Sequence, residues 1–191
     1  MVFMKPFTNK CYDLFNMKTI GIIGFGSFGK FLAEKLDSFV EVRVFSASGK
    51  PTKWASSLEQ VTATDFLILS IPLEAYKDTL NKIKKHLGTK TVIVDVCSVK
   101  QDPLQIIRSI LPKQPTVSTH PLFGPESAGD SLIGHTLVLC PEDSDKQALE
   151  TIESFALQIE LKVINMIAEE HDEEMADVQG RTFFVAHSLK D

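Results

Sequence analysis

The sequence predicts an α/β protein, a doubly wound and mostly parallel sheet followed by a long C-terminal helix. Three observations predict it. Short apolar, β-branched runs alternate with stretches whose apolar residues recur at helical spacing, the pattern of right-handed βαβ units. The first run leads into Gly24-Phe25-Gly26-Ser27-Phe28-Gly29, a G-x-G-x-x-G that opens a helix. The runs Asp65–Ile71 and Thr91–Val96 are nearly all apolar, as strands covered on both faces must be.

Each element follows from its own pattern. Thr19–Ile23 is a short β-rich strand, and Ser27–Leu36 a helix with Phe28, Phe31, Leu32, Lys35 and Leu36 at helical spacing. Val40–Phe45 is β-branched, and Trp54–Val61 reads as a short helix. Leu73–Leu87 repeats apolar residues at helical intervals, with Gly88 as its stop. Pro103–Leu111 is a helix with Pro in its first turn and Pro112 beyond its end. Thr116–Thr119, Thr136–Cys140 and Leu161–Val163 are further strands. Asp145–Gln158 is helical, with Leu149, Ile152, Phe155 and Ala156 on one face, and Glu169–Leu189 is the final long helix.

Composition narrows the function. A chain of 191 residues suggests one domain, or one and a fragment, with core enough to need no disulfide or metal. A net charge of −5 disfavours non-specific binding to nucleic acid or anionic membranes. Cys11, Cys97 and Cys140 show no metal-type spacing, and the two in or beside apolar strands read as small buried hydrophobes. Residues 1–17 form an N-terminal extension with scattered apolar residues, neither a clear signal peptide nor a spanning helix. The expectation is a soluble, cytoplasmic protein.

The glycine turn is a phosphate-binding signature of Rossmann type. Gly24 permits the tight turn, Gly26 lets the backbone approach a pyrophosphate, and Gly29 lets helix and strand pack closely. Phe25, Ser27 and Phe28 complete the turn, where the helix N-terminus offers unpaired N–H groups to phosphate. Cofactor choice is read at the end of the second strand. NAD sites place an acid about 20 residues beyond the glycines. No acid occurs from Arg43 through Leu58, where Ser46, Ala47, Ser48 and Lys50 follow the strand with Lys53 in reserve. Hydroxyls and a cation suit a 2′-phosphate, so NADP is expected over NAD. The alternative is that Ser46 caps a turn and Lys50 is merely solvated.

Three more strand ends reach the same edge. Ser70-Ile71-Pro72 ends the third, Val96-Cys97-Ser98 leaves the fourth, and His120 leaves the fifth in a loop rich in Pro and Gly, Thr119–Glu126. An imidazole there is placed for proton transfer beside a bound ligand. Lys100 reads as a surface residue at a helix start. His171 and Asp172 lie in the acidic run Glu169–Glu174, which the helix dipole favours at a helix N-terminus without any function.

The motifs Gly21–Gly29, Val94–Lys100, Thr119–Ala128 and Glu169–Asp172 resemble those of the prephenate/arogenate dehydrogenases of tyrosine biosynthesis, most closely the plant arogenate type, over roughly residues 18–190. The segment His120-Pro121-Leu122-Phe123-Gly124-Pro125-Glu126 is the specific part. The resemblance implies oxidative decarboxylation of a cyclohexadiene, with hydride passing to the nicotinamide. His120 would polarise the ring hydroxyl, with Ser98 orienting it or the hydroxyl. Glu126, Ser127 and Arg181 would contact substrate. The alternatives are a strand-end cap for His120, a helix-start hydroxyl for Ser98 and a solvated carboxylate for Glu126. It also implies a dinucleotide-binding domain over 18–165 and, over 166–191, the start of a helical domain that forms a homodimer and completes the pocket. Phe183 stands where many relatives carry histidine. A catalytically weak NADP-binding module is the second expectation, and a β-hydroxyacid dehydrogenase the third.

Overall fold

The computed structural model describes residues 19–49, 52–141 and 144–188, with side chains as far as Val178. The elements run β1 (Thr19–Ile23), α1 (Ser27–Leu36), β2 (Glu41–Phe45), α2 (Leu58–Thr62), β3 (Phe66–Leu69), a 3-10 turn (Leu73–Ala75), α3 (Tyr76–Ile83), β4 (Val92–Asp95), α4 (Gln101–Ile110), β5 (Thr116–Pro121), α5 (Pro125–Ala128), β6 (Thr136–Cys140), α6 (Lys146–Gln158), β7 (Lys162–Asn165) and α7 (Ala168–Ser188).

Successive strand residues face opposite sides of a sheet, and here both sides are apolar. Ile20, Ile22, Phe66, Ile68, Val92 and Val94 enter one core, with Phe31 and Leu36 of α1 and Ile152 and Ala156 of α6. The intervening Ile23, Leu67, Leu69 and Ile93 enter the other, beneath Val61, Tyr76, Leu80, Ile83 and Ile107 of α2, α3 and α4. Helices therefore cover both faces, as the two runs of continuous apolar residues require.

The sheet order is β2-β1-β3-β4-β5-β6-β7. The first five strands are parallel, β6 is antiparallel to β5, and β7 is parallel to β6. Between β5 and β6 lies only the one-turn α5 and no full crossover helix, and the strand returns antiparallel. After β2 the chain crosses β1 to build β3 on its far side. The crevice outside the carboxyl ends of β1 and β3 is the switch point where such sheets bind ligands.

Two expectations change. The short helix begins at Leu58, not Trp54. Ser57 Oγ accepts from Gln60 N at 3.2 Å and Gln60 Oε1 accepts from Ser57 N at 2.9 Å, a capping box that fixes the start. Trp54–Ser56 instead extends the sheet edge, Trp54 O accepting from Val44 N at 2.8 Å and Ser56 N donating to Val44 O at 2.9 Å. Second, His120 and Pro121 lie within β5 and not in a loop. β6 supplies a ladder partner on this side, pairing Val138 with His120, and Pro121 needs no N–H because Leu122 N carries the next bond to Thr136 O. Among the described residues, no helix is long and apolar enough to cross a membrane. The N-terminal extension lies outside the described residues.

Candidate functional site

The glycine turn is shaped by contact. Gly24 has φ +106°, and a Cβ there would lie 2.0 Å from the Ser70 carbonyl oxygen. A Cβ on Gly29 would lie 2.2 Å from the Gly24 carbonyl oxygen, so α1 can approach β1 only because this residue has none. Gly26 meets nothing within 4 Å. As the N-cap of α1 it has no side chain to bond the first-turn amides, which face an open cradle. That cradle is a cleft of about 350 Å³ between Gly26, Ser27 and Phe28 of the turn, Ser70, Ile71 and Pro72 after β3, and Val96 and Cys97 after β4. Burial raises the Cys97 thiol above its usual range, so it stays protonated in the wall. These residues fit a dinucleotide: free amides for phosphate and an apolar wall for a flat ring.

At the end of β2, Ser46 Oγ and Ser48 Oγ are 2.9 Å apart in a turn closed by Gly49 N donating to Ser46 O, with Ala47 and Ser48 exposed. Phe25 meets Trp54 edge-on at 6.3 Å. Lys53 is not a spare cation. Its Nζ lies 2.7 Å from Asp37 Oδ2, and Trp54 Nε1 donates to the same carboxylate. Lys50 lies outside the described residues.

Beneath the cleft is a buried polar cluster. Asp95, at the end of β4, accepts from Tyr76 Oη at 2.6 Å, Ser118 Oγ at 3.0 Å, Cys97 N at 3.0 Å and Lys100 Nζ. Lys100 corrects the sequence reading. It is wholly buried and not a surface residue, because Asp95 supplies its counter-charge and the Thr119 carbonyl its second acceptor at 2.5 Å. It thereby ties the end of β4 to the residue before His120.

His120 is half-buried near the end of β5, two residues beyond Ser118, as Cys97 is two residues beyond its partner Asp95. Its Nδ1 is 2.8 Å from Nε2 of His171, whose Nδ1 is 2.8 Å from Asp172 Oδ1. The imidazole rings are 5.0 Å apart and steeply tilted. The same carboxylate accepts from Lys100 N at 2.7 Å and Gln101 N at 3.0 Å, anchoring α7 on the start of α4. His171 is fully buried and Asp172 is its partner, so this pair belongs to the site and not to a solvated acidic face. No spacing signal could have found it, since 51 residues separate the two histidines. Burial first, then the neighbouring His171 and Lys100, hold the His120 imidazolium down to about 4, against a weaker pull from Asp172. Burial alone would raise the Asp172 carboxyl, yet hydrogen bonds from Gln101, His171 and Lys100 hold it below its usual range.

The remaining expected residues are more loosely placed. Ser98 is exposed on the β4–α4 connection, while the ring partner of His120 is His171. Glu126 is exposed in the single turn of α5, and Ser127 Oγ accepts from Gly124 N at 2.9 Å. The side chains of Arg181 and Phe183 lie outside the described residues.

A doubly wound sheet with a glycine cradle at its switch point defines a nucleotide-binding domain. The chain belongs to the prephenate dehydrogenase family: residues 49–165 match that family's nucleotide-binding domain. It is 27% identical over 137 residues to a probable arogenate/prephenate dehydrogenase of Methanocaldococcus jannaschii, covering 70% of this chain and 30% of that protein. It is 28% identical over 191 residues to the chloroplastic arogenate dehydrogenase 2 of Arabidopsis thaliana, covering 89% of this chain and 51% of that one. The chain thus spans about a third to a half of these relatives. The crystal structure of prephenate dehydrogenase from Aquifex aeolicus shares the fold, with TM-score 0.74 and 24% identity, over 90% of this chain and 69% of that one.

Proposed function

We propose that the chain is the cofactor-binding and proton-accepting part of an NADP-dependent dehydrogenase that oxidatively decarboxylates arogenate or prephenate, yielding tyrosine or 4-hydroxyphenylpyruvate. The observation that carries the proposal is His120 near the carboxyl end of β5, on the sheet edge that bears the nucleotide cleft, with its ring held by His171 and its imidazolium disfavoured by burial. A nicotinamide in the cleft supplies the hydride acceptor. His120 accepts the hydrogen bond of the ring hydroxyl and takes its proton as the carbon is oxidised. Because Nδ1 is engaged by His171, Nε2, which has no partner among the described residues, is the accepting atom. Ser98, exposed and close in sequence to the cleft wall, is assigned to the hydroxyl and not to His120. Glu126 and Ser127 at the start of α5, with Arg181 of α7, complete the substrate-contacting set.

The choice of NADP rests on the Ser46–Ser48 hydroxyl pair and on the lack of acid from Arg43 through Leu58. We assign 18–165 to the nucleotide-binding domain and 166–191 to the opening of a helical, homodimer-forming domain, in a cytoplasmic setting. Absorbance at the reduced-cofactor band, with NADP and either diene, tests the activity. The expected result is turnover that His120→Asn lowers by about 10²–10⁴-fold with NADP affinity retained. Near-normal turnover in the variant would reject the role of His120. A second reading is a nucleotide-binding module without turnover, for which the glycine cradle and its cleft suffice. NADP binding with no reduction of it would establish that reading.

A further inference from the structure

The contacts of His171 fix where the protons of the site sit. Asp172 is held as a carboxylate by two backbone N–H groups at the start of α4, and a carboxylate only accepts. The 2.8 Å contact from Asp172 Oδ1 therefore requires a proton on Nδ1 of His171. In a neutral ring, that leaves Nε2 of His171 as an acceptor. The 2.8 Å contact to Nδ1 of His120 then requires the proton to lie on the His120 side. Nε2 of His120 is left with a bare lone pair.

We infer that His171 and Asp172 are positioning residues that hold His120 in the tautomer able to accept a proton, and that they lead that proton out of the site. The inference rests on reading His120 as the hydroxyl's proton acceptor. The steps balance. The substrate O–H bond breaks as Nε2–H forms on His120, while the hydride leaves for the nicotinamide. Nδ1 of His120 then gives its proton to Nε2 of His171, and Nδ1 of His171 gives its own to Asp172. The carboxylate is partly exposed, at 18% of its side chain, and releases the proton to water. Once product has left, Nε2 of His120 gives its proton to water and the chain is refilled through Asp172, which restores both starting tautomers. The groups that face His120 electrostatically are His171 and Asp172 from α7 and Lys100 from the β4–α4 connection. The lysine disfavours lasting charge on the ring, which gives the outward relay its direction.

The test is Asp172→Asn. With its NH₂ in the place of Oδ1, the amide donates to Nδ1 of His171 and gives up the bond from Lys100 N, while its oxygen keeps the bond from Gln101 N. The chain of protons reverses, and His120 is forced to carry its proton on Nε2. Imidazole ¹⁵N shifts of the full chain with NADP bound are expected to show Nδ1–H on His120 in the wild type and Nε2–H in the variant. Turnover should fall by about 10²–10³-fold at every pH, with NADP affinity unchanged, as for loss of a general base. The nitrogen shifts of the wild type need neither turnover nor a stable variant. Nε2–H on wild-type His120, as a cationic His171 would impose, overturns the inference. So does a variant with normal turnover, while the role of His120 survives. If neither diene is oxidised by the wild type and the tautomer still reverses, the positioning chain stands and the hydroxyl-acceptor role falls.

Discussion

Charge at the residue scale is organised around one neutral ring. Lys100 and Asp95 are both fully buried, an arrangement that is stable only because each has further partners: the Thr119 carbonyl for the lysine, and Tyr76, Ser118 and Cys97 N for the aspartate. The cluster holds positive charge under His120 without exposing it to solvent. A free histidine titrates near 6.5, and His120 in the fold near 4. Between those values the folded state binds fewer protons than the unfolded chain, so stability rises with pH. The contribution is full above 6.5 and is lost as pH falls towards 4. Urea unfolding across that window should show a steeper acid loss for the wild type than for His120→Asn. Equal slopes would mean that His120 is not held neutral by the fold. The acid limb of kcat/KM should likewise lie below the usual histidine range.

The β1–α1 turn decides binding at the element scale, and its glycines have separable tasks. A methyl group on Gly29 would press against the Gly24 carbonyl and force α1 off β1, a backbone collision that no side-chain rotation relieves. Gly26 has open space where its methyl group would go. Gly29→Ala is therefore expected to lower stability by about 1–3 kcal/mol, as overpacking does. Gly26→Ala should keep the wild-type melting temperature and lose nucleotide affinity, because the added group intrudes only on the ligand. Thermal melts with and without NADP distinguish the two, and unaltered binding in Gly26→Ala would remove the cradle from the phosphate site. Elsewhere α7 acts as a brace. Its Asp172 caps the start of α4, so the loop after β4 and the partner of His120 move as one unit.

Over the whole molecule, the reversal of strand order between β2 and β3 gathers the glycine turn, Ser70–Pro72, Cys97 and His120 at one edge of the sheet. A ligand that binds there only in the folded state stabilises it by mass action, by about 2.7 kcal/mol at a hundredfold excess over Kd. For a chain of this size that is a rise of about 5–10 °C in melting temperature. At equal concentration NADP should raise it further than NAD. The reverse order would show that the Ser46–Ser48 turn does not receive a 2′-phosphate.

Much of this was legible in the chain itself. Strand runs that are apolar on both faces require helices on both sides of a sheet, and the spacing of Gly24, Gly26 and Gly29 requires a turn tight against a strand and a helix, so the doubly wound class and the nucleotide cradle follow from local pattern. His120 was legible as a reactive group, but its setting was not. Whether Pro121 ends a strand depends on what lies beside it, and only the return of β6 made it a strand. Lys100 looked solvent-facing because a lysine at a helix start usually is. Its burial needed Asp95 on one strand and Thr119 on the next. The acidic start of α7 has an adequate local explanation in the helix dipole, and nothing in its spacing leads to His120. Local propensity and periodicity act over a few residues, and they determined the fold class and the cradle. The protonation of His120 depends on charges and hydrogen bonds that meet only when β4, β5 and α7 pack together, and the tertiary structure alone decided it.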